Sequence, residues 1–525
     1  RPFRTRSVDN GQDWVFNAEY PMVRWLESNG YDVAYISGVD SHRAGALLRS
    51  HRVFLSVGHD EYWSGGQRAN VTAARDAGVH LAFFSGNEIF WKTRWEPSID
   101  GSNTANRTLV CYKETHANAK IDPSPEWTGT WRDPRFSPPS DGGRPENGLA
   151  GTIFMANDTG VPFSISVPAA DGKMRFWRNT SVASLAAGQS ATLPVGTLGY
   201  EWDSELDNGA RPPGLWRLST TPKTNFSGAL LDYGSNYGNG NVTHYLTQYR
   251  APSGALVFGA GTIQWSWGLD ASHDRGSAAA DVRMQQATVN LFADMGVQPA
   301  TLRQGLVAAS ASTDATPPTS TIASPTAGST LAVGTPVTIS GSASDGGGVV
   351  GGVEISVDGG TSWHPAVGRS SWSYVWTPPS SGTFTIRTRA VDDSGNLEAP
   401  GAGITVTAGS VPDTTAPTVS AVSPANNATG VARTVSPTVT FSEAIDPSTI
   451  NSTTFELRNA STNALVFATV SYNAATRRAT LNPSGNLAAG TRFTATVRGG
   501  ATDPRVKDLA GNPLAANRTW SFTTQ

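Results

Sequence analysis

Side chains that can bind a metal or move protons follow the apolar residues 53–57. His59, Asp60, Glu61 and Tyr62 come in direct succession after Gly58. An apolar run rich in β-branched and aromatic residues and closed by glycine is typical of a buried strand. In open α/β sheets, ligands bind beyond the carboxyl ends of the strands. The sequence therefore predicts a functional site at this turn.

The segments around this turn alternate between helix and strand patterns. We predict helices over residues 19–29, 44–50 and 67–78, and strands over residues 32–36, 53–57 and 80–84. Alternation at this spacing predicts an α/β fold with a doubly wound parallel sheet. The ends of its strands would bring Asp40, the His59 turn, and Asn87 with Glu88 to one rim.

His59, Glu61 and Asn87 are the candidate catalytic residues of this rim. His59 or Glu61 could carry a proton to a leaving group, because a basic leaving group departs well only when it is protonated. A structural interpretation stays open: His59 could donate to a backbone carbonyl, and Glu61 could favour the start of a helix through the helix dipole. No serine or cysteine occupies the turn where a nucleophile elbow would place one, which disfavours a covalent acyl-enzyme.

Composition sets limits on function and domain number. The 39 basic and 42 acidic residues give a net charge of −3, which gives no reason to expect nucleic acid or an anionic membrane as a partner. The single cysteine, Cys111, excludes an internal disulfide framework. No apolar run approaches the roughly 20 residues of a membrane helix. The chain begins at Arg1, so we expect upstream sequence, including any signal peptide, to precede it.

A change of composition near residue 300 divides the chain. Tryptophan is concentrated before this point, and Ser, Thr, Ala, Gly, Val and Pro dominate after it. Two related stretches begin at Asp314 and Asp413, and each is followed by a late Asp-x-x-Gly-Asn turn, at Asp392 and Asp508. The pattern predicts a linker at 301–313 and two all-β sandwiches at 314–408 and 409–525. We interpret the two late turns as hairpin turns, since too few oxygen ligands for calcium are evident.

Both modules resemble bacterial Ig-like modules, and the second is similar to the type found in surface-layer proteins. Residues 1–300 resemble the C-terminal domain of the β subunit of N,N-dimethylformamidase. The matching stretches are residues 17–21, 58–64, 84–88 with Trp91, 145–149, 199–203 and 261–267. This resemblance implies a glutamine-amidotransferase-like α/β fold that hydrolyses a small amide.

The resemblance also implies a mononuclear ferric ion held by two tyrosines and one glutamate. By motif these are Tyr20, Tyr62 and Glu146, with Glu88 as the alternative third ligand. Phenolate and carboxylate oxygens suit a hard ferric ion. The structural alternatives are that the tyrosines pack against helix starts and that Glu146 lies in a solvated loop. Glu201 and Asp203, which flank Trp202, are interpreted as a surface turn in preference to a pair supporting the site.

Two functions of different classes fit the sequence. The first is a secreted or surface-associated bacterial metal-dependent amidohydrolase. It would hydrolyse the C–N bond of a small amide or an amide-bearing substrate by metal-activated water. The second is a non-catalytic cell-surface or carbohydrate-binding protein that uses tryptophans as sugar platforms. In both cases the Ig-like tail is expected to contact the cell wall or a glycan.

Overall fold

The computed structural model describes residues 15–136, 142–157, 163–274, 279–410 and 413–525. Contacts between residues divide the chain into two compact units, Arg1–Gly409 and Ser410–Gln525. The division into 1–300, 301–313, 314–408 and 409–525 stays a prediction. No helix in the described part of the chain is long and apolar enough to cross a membrane.

The described helices are short and lie within the first 300 residues. The α-helices are α1 (Tyr20–Ser28), α2 (Gly38–Arg43), α3 (Gly65–Asp76), α4 (Glu114–Ala117), α5 (Asn147–Ala150), α6 (Ala169–Gly172) and α7 (Val282–Asp294). A π-helical turn, Val15–Glu19, precedes α1. The 3-10 helices are Gly45–Ser50, Arg175–Trp177, Ser181–Ser184 and Trp265–Gly268.

The same region contains fourteen described strands. They are β1 (Val53–His59), β2 (Tyr62–Ser64), β3 (His80–Gly86), β4 (Trp91–Glu96), β5 (Thr108–Val110), β6 (Ile153–Asn157), β7 (Ser166–Pro168), β8 (Ser190–Thr192), β9 (Glu201–Ser204), β10 (Trp216–Arg217), β11 (Thr221–Leu230), β12 (Tyr237–His244), β13 (Thr247–Arg250) and β14 (Leu256–Gly259).

A mixed five-stranded sheet forms the centre of this region, in the order β1-β3-β14-β13-β10. β1 and β3 are parallel, with Val53 opposite His80 and His59 opposite Gly86. β14 is also parallel to β3, but β13 and β10 run antiparallel to their neighbours. The ends of β1 and β3 therefore lie side by side, as the sequence predicted for His59 and Asn87.

The predicted doubly wound, glutamine-amidotransferase-like α/β sheet is wrong. The structure is 35% strand and 15% helix, which makes it a mainly β protein with several small sheets. Residues 32–36 form no strand, and Tyr35 is 65% exposed. The third parallel strand is instead β14, whose sequence lies far from β3. Local patterning detects β1, α3 and β3, but it cannot show which distant strand completes their sheet.

The centre of the first region is an aromatic core on one face of this sheet. Phe84 of β3 lies 5.2 Å, between ring centres, from Phe258 of β14 and 5.9 Å from Phe292 of α7. Trp265 and Trp267 lie on a buried 3-10 helix. Burial of side chains this large supplies much of the stability of a domain.

The tail forms two sandwiches, as predicted. Strands of the first are β15 (Thr319–Ser324), β16 (Thr330–Ala332), β17 (Val337–Ser344), β18 (Val350–Ser356), β19 (His364–Pro365), β20 (Val367–Gly368), β21 (Ser371–Trp376), β22 (Gly382–Asp392) and β23 (Ile404–Gly409). Strands of the second are β24 (Val419–Ser423), β25 (Ala428–Val431), β26 (Thr438–Phe441), β27 (Phe455–Asn459), β28 (Ala468–Asn473), β29 (Arg478–Pro483), β30 (Arg492–Val497) and β31 (Arg518–Thr524).

The first sandwich packs directly on the preceding region within the unit Arg1–Gly409. The buried Glu354 pairs with Arg211 of the preceding region and with Arg389 of its own sheet. Arg369 reaches back to Asp171, with 2.8 Å between Nη2 and Oδ1. A Cβ on Gly351 would lie 3.1 Å from Trp216 Cβ. Paired charges and close backbone packing together hold this module against its neighbour.

Candidate active site

The glycine at the start of the polar turn is required by the packing around it. Gly58 has a φ of +81°, a value that side chains rarely allow. A Cβ at this position would also lie 2.9 Å from Ala18 Cβ and 3.3 Å from the Glu19 carboxylate. Glycine therefore lets the end of β1 approach the segment that leads into α1.

His59, at the last position of β1, is held by a tyrosine and a carboxylate. Its Nε2 lies 3.0 Å from the Tyr200 hydroxyl and 3.2 Å from Glu201 Oε2. Glu201 also accepts a 3.0 Å hydrogen bond from Asn157 Nδ2, which fixes its orientation. The hydroxyl and the carboxylate hold the imidazole at hydrogen-bond distance from two groups with which it could exchange a proton.

Glu61 is joined to the end of the neighbouring strand through Asn87. The Asn87 side-chain amide donates to Glu61 Oε2. Asn87 itself has a φ of +54°, in the left-handed region that asparagine tolerates better than most residues. The two predicted catalytic residues Glu61 and Asn87 are thus brought into contact.

Burial and a second carboxylate act together on Glu61. Removal from water, and next the negative charge of Glu201, raise the pKa of Glu61 to about 7. Lys113 and the Asn87 hydrogen bond act in the opposite direction. A carboxyl group with a pKa near neutrality can exchange protons at physiological pH.

Aromatic side chains and one lysine surround the exposed side of this cluster. Tyr62 is 36% exposed and Tyr237 is 40% exposed. Lys113 Nζ lies 5.3 Å from the ring centre of Tyr62 and 4.8 Å from that of Trp91. Burial, and then the Glu201 charge, raise the pKa of Tyr237 to about 12. Glu61 and Glu201 are themselves partly exposed.

Beneath the turn lies a second set of carboxyl groups, in which Glu88 is fully buried and Asp60 is partly buried. Ser56 donates to Asp60 Oδ2 at 2.9 Å and contacts Glu88 Oε2 at 3.0 Å, and Ser85 also donates to Glu88. Burial raises the pKa of Asp60 to about 6 and that of Glu88 well above its ordinary value. The two serines satisfy these carboxyl groups, which tie β1 to β3 below the exposed cluster.

Asp40 lies at the start of α2, where it has local partners. Its carboxylate accepts from the Ser37 hydroxyl at 2.7 Å and pairs with Arg43 at 2.7 Å. No contact in the described part of the chain joins Asp40 to His59, Glu61 or Asn87. Its contacts are those of a helix start.

Tyr200, Glu201, Asp203 and Lys113 are site residues that motif reading missed. Glu201 and Asp203 lie on β9, and Asp203 is fully buried, so the surface-turn interpretation is wrong. The only signal for them in the sequence was the matching stretch 199–203. Lys113 carried no local signal, because its position near Glu61 depends on the pairing of β4 with β5.

Comparison with protein-family models accounts for most of the chain. Residues 1–286, more than half of the chain, match the model described as N,N-dimethylformamidase beta subunit-like, C-terminal. The chain belongs to this family. Residues 318–388 match a bacterial Ig domain and residues 413–524 a bacterial Ig-like domain. The order of a dimethylformamidase-like domain followed by two Ig-like modules is therefore confirmed.

Comparison with curated proteins finds no significant match. Among solved structures, the N-terminal part of the bacterial S-layer protein SbsC is 24% identical over 21% of this chain, with a TM-score of 0.17. CopC from Methylosinus trichosporium OB3b is 18% identical over 21% of this chain, with a TM-score of 0.16, and 93% of CopC is covered. The match spans only 23% of the SbsC chain.

The three iron ligands that the N,N-dimethylformamidase resemblance implied have separate partners in this structure. Tyr20, at the first position of α1, contacts Phe16 and Arg24. Both oxygens of the buried Glu146 lie 3.1–3.2 Å from Arg132 Nε. Tyr62 lies beside Glu61 and Lys113, and burial raises the pKa of its phenol. The iron site that the resemblance implied stays a prediction.

Proposed function

We propose that the N,N-dimethylformamidase-like domain hydrolyses the C–N bond of an amide, with His59 and Glu61 as its proton carriers. The observation that carries this proposal is the position of Glu201: its carboxylate contacts His59 Nε2 and its charge acts on Glu61. One carboxylate thus links a histidine and a glutamate at a single strand end. Family membership supports the reaction class.

In the proposed reaction, Glu61 takes a proton from a water molecule as its oxygen adds to the amide carbonyl. Lys113 is the nearby cation that would stabilise the negative charge on the former carbonyl oxygen. Protonated His59 then delivers its proton to the amide nitrogen, and the C–N bond breaks. A carboxylic acid and an amine are released, and the proton on Glu61 restores that on His59. Water and the amide are the only reactants consumed.

The surroundings of the cluster favour a small substrate. Tyr62 and Tyr237 offer aromatic surface beside Glu61 and Glu201, which suits short apolar substituents on the amide. The carbohydrate-binding alternative loses its main support. Apart from the partly exposed Trp95, the tryptophans described between residues 15 and 300 are buried and offer no sugar platform.

The Ig-like modules bear on where the enzyme acts. Bacterial Ig-like modules are typical of proteins presented outside the cell, and two of them follow the enzyme domain here. We therefore propose that the protein is secreted or held at the cell surface, with the modules in contact with the cell wall or a glycan.

Hydrolysis of N,N-dimethylformamide and other short amides by the purified chain tests the proposal, with amine release as the measured quantity. We expect His59→Gln and Glu61→Gln each to lower kcat by about 10²–10⁴-fold, the usual contribution of a proton carrier. Glu27→Gln is the matched control, because Glu27 is exposed on α1. The proposal fails if the wild-type chain releases no amine from any amide tested, or if both variants keep the wild-type rate.

A further inference from the structure

Three carboxylates from distant positions meet at one end of the first Ig-like module. Asp314 precedes β15, Asp345 follows β17, and Asp392 ends β22. One carboxylate oxygen from each lies within 4.8 Å of those of the other two. Two ligands of one Ca²⁺, each at 2.3–2.6 Å, are at most about 5 Å apart. The separation is therefore one that a single bound calcium ion allows.

Two of these carboxylates have buried oxygens that lack partners. Asp314 Oδ2 and Asp345 Oδ2 are both buried, and no described residue gives either one a hydrogen bond. A buried carboxylate oxygen without a partner is costly. The Oδ1 atoms accept from the backbone N–H groups of Thr316 and Gly347, but no hydrogen bond offsets the cost at the two Oδ2 atoms.

Both unpartnered oxygens point to the same place. A Cβ built on Gly348 would lie 3.0 Å from Asp345 Oδ2, 3.4 Å from Asp314 Oδ2 and 2.9 Å from Asp393 Oδ1. Glycine at position 348 therefore leaves room for carboxylates to converge. This convergence is an observation separate from the acidic cluster itself.

The nearby arginines are committed to other partners. Arg175 Nη2 lies 2.7 Å from Asp294 Oδ1. Arg250 donates to the carbonyl oxygens of Gly254 and Ser394, at 2.9 and 2.6 Å. Asp392 accepts from the Asn396 side chain at 2.7 Å, a neutral donor. None of these described contacts neutralises Asp314 or Asp345.

We propose that Asp314, Asp345 and Asp392 form a calcium site in the first Ig-like module. All three ligands are hard oxygens, and backbone carbonyls and water can complete the six to eight that calcium takes. The sequence pointed to a plain hairpin turn at Asp392 because it could not show that Asp314 and Asp345 fold onto it.

The site also lies where this module meets the dimethylformamidase-like domain. Asp393 Oδ2 accepts a 2.7 Å hydrogen bond from the Arg175 backbone N–H. The next residue, Ser394, accepts from Arg250 through its carbonyl oxygen. Calcium bound at Asp392 would therefore fix a turn that contacts the enzyme domain, and so stabilise the unit Arg1–Gly409.

A similar cluster occurs in the second module but is not part of the proposal. Asp413, Glu443 and Asp508 also have oxygens within 4.8 Å of one another. Among the described residues, however, none of these three has a buried oxygen without a partner. The experiment must therefore separate the two clusters.

Calcium is titrated calorimetrically into the EGTA-treated 525-residue chain and into its Asp345→Asn, Glu443→Gln and Asp32→Asn variants. We expect the wild type, Glu443→Gln and Asp32→Asn to bind one ion with the same affinity, and Asp345→Asn to bind it at least about tenfold more weakly. Asp32 is the matched control because it is an exposed aspartate away from both clusters. Wild-type binding in Asp345→Asn, or no binding by the wild type, would overturn the proposal.

Thermal unfolding distinguishes two roles of Asp345: binding calcium, and stabilising the fold without calcium. Calcium should raise the Tm of the wild type, and the same concentration of magnesium should raise it much less. In EGTA, the Tm of Asp345→Asn should equal or exceed that of the wild type, because the change removes one repelling charge. In calcium, the Tm of Asp345→Asn should be lower than that of the wild type. A lower Tm in both conditions, or an equal effect of magnesium, contradicts a calcium site. Gly348→Ala, which puts a methyl group between the carboxylates, should weaken calcium binding independently.

Discussion

Asp203 Oδ1 accepts a 2.8 Å hydrogen bond from the backbone N–H of Asn87, 116 residues earlier in the chain. Its other oxygen accepts from the Thr152 hydroxyl at 2.9 Å. Asp203 thus fixes Asn87 in its left-handed conformation, and Asn87 in turn donates to Glu61. A fully buried residue on β9 therefore sets the position of a proposed proton carrier on the turn after β1.

Asp203→Asn should change stability in a pH-dependent way. Burial raises the pKa of Asp203 from 3.8 to about 7, so the folded state favours the protonated acid. The stability that this group contributes is complete below about pH 3.8 and is lost as the pH rises towards 7. Asparagine has a similar shape but does not titrate.

The free energy of unfolding of Asp203→Asn, relative to wild type, should therefore increase between pH 4 and 7, by at most roughly 4 kcal/mol. Denaturant unfolding at several pH values measures this difference. Asp76→Asn, an exposed change on α3, is the control and should show no such trend. A difference for Asp203→Asn that stays constant with pH would contradict the buried, protonated carboxyl group.

Glu201→Gln should separate electrostatic from steric roles in the site. The change keeps the shape of the side chain but removes the charge beside His59 and Glu61. We expect kcat on a small amide to fall about 10- to 100-fold. The Glu201 charge raises the pKa of Glu61, so removing that charge lowers this pKa. The acid limb of the pH profile of kcat/KM should therefore move to lower pH.

Tyr200→Phe is the comparison for this experiment. It removes the hydroxyl that lies 3.0 Å from His59 Nε2 but leaves the Glu201 charge in place. The acid limb should then stay where it is in the wild type. Equal pH profiles for wild type and Glu201→Gln would show that Glu201 does not act on the proton carrier.

The local elements of the site could be predicted from sequence because their causes are local. β1 is a compact apolar run, α3 begins where the Ser64 hydroxyl accepts from the Gln67 N–H, and β3 repeats the apolar pattern of β1. These features predicted that His59 and Asn87 would lie at neighbouring strand ends. The parallel register of β1 and β3 confirms that arrangement.

The rest of the fold and of the two sites depends on contacts between distant parts of the chain. β14 completes the parallel strands, Glu201 reaches His59 from β9, and Asp345 reaches Asp392 across the sandwich. No periodicity in a short window contains such information. The predicted strand at residues 32–36 failed for the same reason: the segment pairs with no described strand, and Ala34, Tyr35 and Ile36 remain exposed.

Limited proteolysis should release the second Ig-like module first. The boundary near residues 408–416 separates the two compact units. The linker at 301–313 is held against the first domain: Val307 and Ala309 accept from Gln286 and Gln298, each at 2.9 Å. Backbone held in this way resists proteases.

A fragment ending near residue 410 should therefore accumulate before any fragment ending near 300–315. Mass spectrometry of the time course identifies both ends. Early cleavage within 300–315 would show that the first sandwich is less firmly docked than its ion pairs indicate. No stable fragment with an end near 300–315 or 408–416 would contradict the predicted domain boundaries.

The iron content of the purified protein tests whether the site holds the ferric ion that the family resemblance implies. The resemblance predicts about one ferric ion per chain and a visible colour, because phenolate bound to Fe(III) transfers charge to the metal under visible light. In this structure that outcome requires Glu146 to exchange Arg132 for the metal.

Tyr62→Phe should then lose most of its iron with an unchanged Tm, since it removes one oxygen and keeps the ring. Glu146→Gln should cost more iron than Glu88→Gln, because Ser56 and Ser85 already satisfy Glu88. Metal analysis and the visible spectrum, measured after reconstitution with iron, give both quantities. Colourless protein without iron that still hydrolyses amides would show that His59 and Glu61 act without a metal.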